Sequence, residues 1–263
     1  MRIPSVLSIA GSDSSGGAGI QADIKTISAF GLFAQTAITA LTAQNTLGVH
    51  GVLDVDPGFV REQIDAVFND IRPDAVKIGM VSSPEIVIVI AESLKRHGAG
   101  NIVVDPVMVA TSGDSLAAGG AVEALCDHLL PMADVITPNM PEACVLAGHR
   151  IESRGEQERA ARELLATGAA AVLVKGGHGQ GDAYDVLAMR DGGIVRLEAA
   201  RIETSNTHGT GCTLSSAIAC GLAKGESLED AVRHAKEYVS GALASGLDLG
   251  RGCGPIDHMW RYR

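Results

Sequence analysis

Asn206-Thr207-His208-Gly209-Thr210-Gly211-Cys212 runs directly into a proline-free stretch of small and aliphatic residues, Thr213 to Ala223. Gly209 and Gly211 allow a tight turn just before a helix begins, and Thr207 or Thr210 can cap its first turn. The N–H groups of Thr210, Gly211 and Cys212 would then point at one spot, where unpaired donors and the helix dipole favour an anion. A cysteine placed there is expected to have a lowered pKa. A capped, buried helix that needs glycine for packing would read the same way.

Other candidate groups follow short apolar runs. Asp105 ends one such run and precedes Pro106. A carboxylate there suits a metal or a phosphate-bound magnesium ion, and equally a plain turn. Asn139 and Glu142, three apart at a helix start, can share one face, although an acidic first turn is also what ordinary capping selects. Lys175, beside Gly176 and Gly177, suits phosphate neutralisation or simple solvation in a loop. Gln44 offers a paired donor and acceptor for the edge of a heterocycle, or for its own backbone. An anion hole, a lysine and acidic residues at one edge would make a phosphoryl-transfer set: donors hold the transferring group, carboxylates hold magnesium, and a base takes the acceptor's proton.

Such a set needs a scaffold that brings strand ends together. Ser5–Ala10 reads as a first buried strand, followed by a Gly/Ser loop from Gly11 to Gly19 and a helix from Ile20 to about Phe30. Loops of this kind hold ligands in α/β proteins, but this one matches neither a Walker loop nor GxGxxG. Strands are expected at Thr36–Ala43, Ala75–Ile78, Asn101–Val104, Ala133–Ile136 and Ala170–Val174. Helices are expected at Pro57–Asp70, Pro84–His97, Glu156–Thr167 and Leu228–Ala244. Asp185–Arg190 and Ile194–Glu198 read as a hairpin around Asp191-Gly192-Gly193. The alternation predicts an α/β fold, a mostly parallel central sheet with helices on both faces, and strand-end residues converging on one edge. With no repeat or linker, residues 1–263 read as a single domain.

Composition narrows the function. The net charge of −10, without a basic run, argues against nucleic-acid binding, and aromatics at 3% leave few stacking platforms. Five cysteines without CxxC spacing fit a reduced cytoplasm better than a disulfide framework or zinc site. No apolar run approaches membrane length, and the N-terminal residues do not read as a signal peptide. A small-molecule substrate is the expected partner.

Several motifs carry a resemblance that covers essentially the whole chain. They are Ala10-Gly11-Ser12-Asp13-Ser14-Ser15-Gly16-Gly17-Ala18-Gly19-Ile20-Gln21-Ala22-Asp23, Ala43-Gln44-Asn45-Thr46, Asp105-Pro106-Val107, Thr137-Pro138-Asn139-Met140-Pro141-Glu142, Lys175-Gly176-Gly177-His178, His208-Gly209-Thr210-Gly211-Cys212 and Gly254-Pro255-Ile256-Asp257-His258. The sequence resembles the ribokinase-like superfamily, and within it the hydroxymethylpyrimidine/phosphomethylpyrimidine kinases of thiamin biosynthesis. The resemblance implies that ATP, with magnesium, phosphorylates hydroxymethylpyrimidine and then its monophosphate. It implies an anion hole at Gly209–Cys212, with Cys212 as base where ribokinases use an aspartate. Asn139 and Glu142 match the superfamily's NxxE element, associated with magnesium and phosphate; Asp105 is the second candidate metal carboxylate. Lys175 would sit by the nucleotide phosphates. Gln44 would bond the aminopyrimidine, helped by Asp23, Met80 and the backbone near Val107, with Gly11 and Ala18 lining the substrate side. A homodimer in the cytoplasm is expected. Pyridoxal kinase is the alternative within the fold. A thiol hydrolase using Cys212 and His208, or a non-catalytic pyrimidine sensor, are the readings from other classes.

Overall fold

The computed structural model describes residues 2–108, 120–177 and 183–263; His178 of the Lys175 motif lies outside them. Nine strands form one sheet in the order β3-β2-β1-β4-β5-β6-β7-β8-β9. These are β1 (Ser5–Asp13), β2 (Phe33–Asn45), β3 (Gly48–Asp54), β4 (Ala75–Ile78), β5 (Ile102–Val104), β6 (Val135–Ile136), β7 (Ala171–Val174), β8 (Ala183–Met189) and β9 (Ile194–Ala199). From β2 through β1, β4, β5 and β6 to β7 every pairing is parallel; β3 and β8 join antiparallel at either side.

The short parallel strands are buried on both faces, which is why they read as unbroken apolar runs. Alternate residues feed two cores. Leu7, Ile9, Val76, Ile78, Val104, Ile136 and Val174 point to one core, shared with α2 (Pro57–Asp70), α3 (Pro84–His97), α5 (Met140–Ala147) and α6 (Arg154–Glu163). Val6, Ala75, Val103, Val135 and Leu173 point to the other, under α1 (Gly19–Ala29), α7 (Thr210–Ala223) and α8 (Leu228–Ser245). A short α4 (Ala121–Ala124) continues into a wide turn, Leu125–Leu129. Asp56, Ser83, Ser153 and Ser227 cap their helices through side-chain oxygens, the role these residue types fill best.

Two departures from the sequence reading bear on function. β3 was not expected, because its residues are largely exposed and its two glycines break the alternation. It forms by pairing with β2, not by burial. The helix expected over Glu156–Thr167 starts earlier, at Arg154, and tightens to a 3₁₀ turn from Leu164.

Candidate active site

The carboxyl ends of the parallel strands carry the predicted groups to one edge. Gly11 lies near the end of β1, Gln44 at the end of β2, Met80 after β4, Asp105 after β5, Asn139 after β6 and Lys175 after β7. A ladder contact between Asn139 and Lys175 extends the last pairing beyond the strands.

The start of α7 differs in detail from the sequence expectation. Gly209 is its N-cap, at φ +85°, and no threonine side chain caps the turn. Thr210 Oγ1 instead donates to the Thr207 carbonyl at 2.7 Å, and the Thr210 N–H also turns back to that oxygen at 3.2 Å. The first helical bond is Thr213 N to Gly209 O at 2.9 Å. Gly211 and Cys212 therefore keep N–H groups without a hydrogen-bond partner among the described residues. These two donors, with Thr210 as their support, leave a spot that could hold an anion.

Lys175 and Asp105 face that spot. Lys175 Nζ bonds Asp105 Oδ1 at 2.8 Å, and Thr137 Oγ1 donates to the same oxygen at 3.0 Å. A Cβ added at Gly211 would lie 3.3 Å from both Lys175 Nζ and Asp105 Oδ2. Burial favours the neutral amine of Lys175, but Asp105 and Glu142 outweigh it and raise the pKa, so the ammonium is retained.

Glu142 completes a capping box: its Oε2 accepts from Asn139 N at 2.7 Å, and its own N–H donates to Asn139 Oδ1 at 2.9 Å. Burial, reinforced by Asp105 and opposed by Lys175, pushes its carboxyl up to about 7. Capping and cluster membership thus coexist. Among the described residues no three His, Cys, Asp or Glu side chains form a cation cage. Asp105 and Glu142 suit a magnesium ion that keeps waters and substrate phosphates as its other ligands.

Cys212 does not behave as its helix position suggested. Burial pushes the thiol up to about 11; Asp23 and Asp105 add to the rise, while Lys77 and the Gly19 N–H bonded to sulfur oppose it. Desolvation is the largest cause, so the expected lowered pKa is corrected to a raised one. The ring of His208 is directed at Asp13, bonded through Nε2 at 2.8 Å. That removes the thiol-hydrolase pairing with Cys212.

Asp23 is also placed differently from the reading that set it against the substrate. It is fully buried, accepting from Lys77 Nζ at 2.9 and 3.0 Å, Ser8 Oγ at 2.5 Å and Ser216 Oγ at 2.7 Å. With its oxygens occupied it supports the site from below. Ser216 is one helical turn beyond Cys212, and Asp23 one turn beyond Gly19, so the pair with Lys77 forms a layer beneath the sulfur. Lys77 Nζ would lie 2.7 Å from a Cβ at Gly79. Sequence reasoning missed Lys77; the signal was a lone charge inside the apolar run Ala75–Ile78.

At the end of β1, Gly11 packs against Met80, whose sulfur would be 3.1 Å from an added Cβ. The Met80 carbonyl accepts from Thr39 Oγ1. Gln44 is partly exposed; its Oε1 accepts from Thr42 and its backbone exchanges bonds with Ser14 Oγ. The Val107 N–H is turned back to the Asp105 carbonyl at 2.8 Å. The Gly/Ser loop is organised by Asp13, which accepts from the N–H groups of Ser15, Gly17 and Ala18. Ala18 therefore lines the loop with its N–H already engaged.

The described site can hold a multiply charged phosphate: two aimed donors, one ammonium and two carboxylates for a cation. The phosphomethylpyrimidine kinase family model matches residues 13–257. The chain belongs to the phosphomethylpyrimidine kinase family. A hydroxymethylpyrimidine/phosphomethylpyrimidine kinase of Rhizobium meliloti is 54% identical over 259 residues, covering 97% of each chain. Its counterpart in Escherichia coli is 48% identical, covering 98% of each. Among solved structures, a phosphomethylpyrimidine kinase from Clostridium difficile is 46% identical with a TM-score of 0.80, covering 91% of this chain and 98% of that one. An ADP complex of Bacillus subtilis pyridoxal kinase is 35% identical with a TM-score of 0.91, covering 99% of each. The fold is the ribokinase-like one.

Proposed function

We propose that this family member transfers the γ-phosphoryl group of ATP to the hydroxyl of 4-amino-5-hydroxymethyl-2-methylpyrimidine and then to the resulting monophosphate, forming the diphosphate used in thiamin synthesis. The observation that carries the reading is that Lys175 and Asp105, with Glu142 beside them, lie against Gly211, whose N–H, like that of Cys212, has no partner among the described residues. Kinship at 54% identity along nearly the whole chain supplies the substrate class.

In the transfer, the acceptor oxygen forms a bond to the γ-phosphorus while the bond to the ADP oxygen breaks. The N–H groups of Gly211 and Cys212 hold the transferring oxygens, and Lys175 neutralises the phosphates. Magnesium bound with ATP would neutralise phosphate charge, with Asp105 and Glu142 as its protein ligands. Two buried carboxylates facing one ammonium fit that cation. Gln44, Gly11, Met80 and the segment at Val107 bind the aminopyrimidine, while Asn139 holds the start of α5 beside the nucleotide. Cys212 takes the alcohol's proton through its minor thiolate form. The phosphate acceptor of the second step has a second pKa of about 6 and needs no such base.

A homodimer is part of this reading. Leu41 and Leu53 are cross-strand partners on β2 and β3, exposed at 45% and 67%, and Leu47 is exposed in the turn between the two strands. Monomers seldom leave such a patch uncovered. Among the described residues no helix is long and apolar enough to cross a membrane, and a cytoplasmic location is proposed. Pyridoxal is the competing acceptor, favoured by the TM-score of 0.91 to a pyridoxal kinase.

Mass spectrometry of products from ATP, magnesium and either alcohol separates these readings. The mono- and diphosphate of the pyrimidine are expected; phosphorylation of pyridoxal alone would replace the assignment.

A further inference from the structure

Asp13 and His208 lie far apart in the chain, and the phosphoryl-transfer chemistry uses neither. Both are nearly buried, at 3% and 5% exposure. His208 Nε2 meets Asp13 Oδ2 at 2.8 Å. That oxygen also accepts from Gly17 N at 3.1 Å and Ala18 N at 2.8 Å, while Oδ1 accepts from Ser15 N at 2.8 Å. Burial would pull the Asp13 pKa upward, but the bonds from His208, Ser15 and Ala18 outweigh it and hold the carboxyl down to about 2. The carboxylate is therefore ionised throughout the working range, and it fills the cradle of its own loop.

The partner side is equally constrained. The His208 backbone N–H donates to Gly254 O at 3.0 Å, and its carbonyl accepts from Ile256 N at 3.4 Å. Its ring lies against Gly17, where any Cβ would overlap it. The next residue, Gly209, begins the anion hole, and a Cβ there would overlap the Gly17 carbonyl. The loop that lines the acceptor side and the turn that holds the phosphate thus touch backbone to backbone. The ionic hydrogen bond lies beside that contact.

We propose that Asp13 and His208 are a positioning pair that locks the Gly/Ser loop to the start of α7 and so sets the acceptor against the transferring phosphoryl group. The proposal rests on the kinase reading for its effect on turnover, but the coupling itself is a property of the two loops. Transfer demands reacting atoms about 3–3.5 Å apart, and a displacement of about 1 Å can cost ~10²-fold. Neither residue needs to touch substrate to matter at that scale. Charge-assisted bonds are also about twice as strong as neutral ones, which suits a joint between the last residue of β1 and the turn before α7.

Three variants of the full chain test this. The terminal amide of His208→Gln can reach the position of Nε2 and donate to Asp13, whereas that of His208→Asn stops short. Asp13→Asn removes the charge and turns one acceptor into a donor. Measurements are kcat, the KM for ATP and for the pyrimidine, and amide hydrogen exchange over residues 14–19 and 209–212. His208→Asn and Asp13→Asn are expected to lower kcat about 10- to 100-fold, with ATP KM changed less than about threefold. Exchange over residues 14–19 should accelerate about tenfold in His208→Asn, although the substitution is in another segment. His208→Gln should restore both readouts to near wild type. If His208→Asn does not fold, the same kcat loss in Asp13→Asn and recovery in His208→Gln remain decisive. Unchanged exchange and turnover in either disruptive variant, or equal damage in His208→Gln and His208→Asn, would overturn the pairing. A wild-type protein that makes no phosphorylated pyrimidine would overturn the kinase reading instead. The exchange comparison would still judge the coupling.

Discussion

Burial sets the chemistry of Cys212. With the thiol pushed up to about 11, roughly three molecules in ~10⁴ carry thiolate at pH 7.5. The thiolate fraction grows tenfold per pH unit, and the alcohol step is expected to accelerate between pH 7 and 9. Transfer to the monophosphate should stay nearly flat. Cys212→Ala should abolish that difference and lower the alcohol step by roughly 10²–10⁴. Single-turnover rates for each acceptor across pH provide the check; parallel profiles in the wild type would reduce Cys212 to a phosphate-holding residue. Iodoacetamide should label Cys212 slowly at neutral pH, and an inflection below pH 8 would contradict the raised pKa. The residue types of the site were legible from sequence because strand-end polar groups stand out against apolar runs. The charge state of Cys212 was not, since the helix dipole can be read from neighbours in sequence but desolvation depends on β4 and α1 folding over the sulfur.

Two helix starts carry separable tests. Glu142 at the start of α5 has its carboxyl pushed up to about 7 from 4.5. The folded state then binds a proton more tightly than the unfolded chain. Stability should fall as pH rises from 4.5 to 7, with the full penalty above 7, on the order of 3 kcal/mol. Glu142→Gln keeps the capping acceptor without the charge. Thermal unfolding should show it several degrees more stable than wild type at pH 8 and indistinguishable at pH 4.5. At the start of α7, Gly211 has ordinary helical backbone, with Lys175 and Asp105 against its open side. Gly211→Val should keep the fold and acceptor KM but lower kcat by ~10²–10³, the worth of one such donor. Full turnover in that variant would remove the loop from the mechanism. Elements with a buried face announced themselves through periodicity. β3 did not, because Leu53 and Val52 face outward and only its partner strand explains it.

For the whole molecule, the sheet works as a jig: parallel strands end together, so residues from 11 to 212 share one rim. The alternation of strands and helices made that rim predictable. The interlock of its loops was not, because Asp13 and His208 look like ordinary loop residues until both are placed. Beside that rim, where Leu41 pairs with Ser12, the apolar β2–β3 surface is expected to join two copies. Leu41→Lys with Leu53→Lys should weaken dimerisation at least 100-fold in sedimentation velocity while leaving the secondary structure intact. A wild type that sediments as a monomer at micromolar concentration would end the dimer reading.

The Lys77–Asp23 pair has a consequence for how the family can change. Both side chains are fully enclosed. Losing one strands the other's charge, a cost of about 3–5 kcal/mol, whereas replacing both with apolar residues of similar volume is often close to neutral. Lineages could therefore exchange the pair only by passing through a damaged intermediate or by changing both codons at once. Divergence of substrate choice at the rim can proceed one substitution at a time above this layer, while a single change within the layer carries that cost.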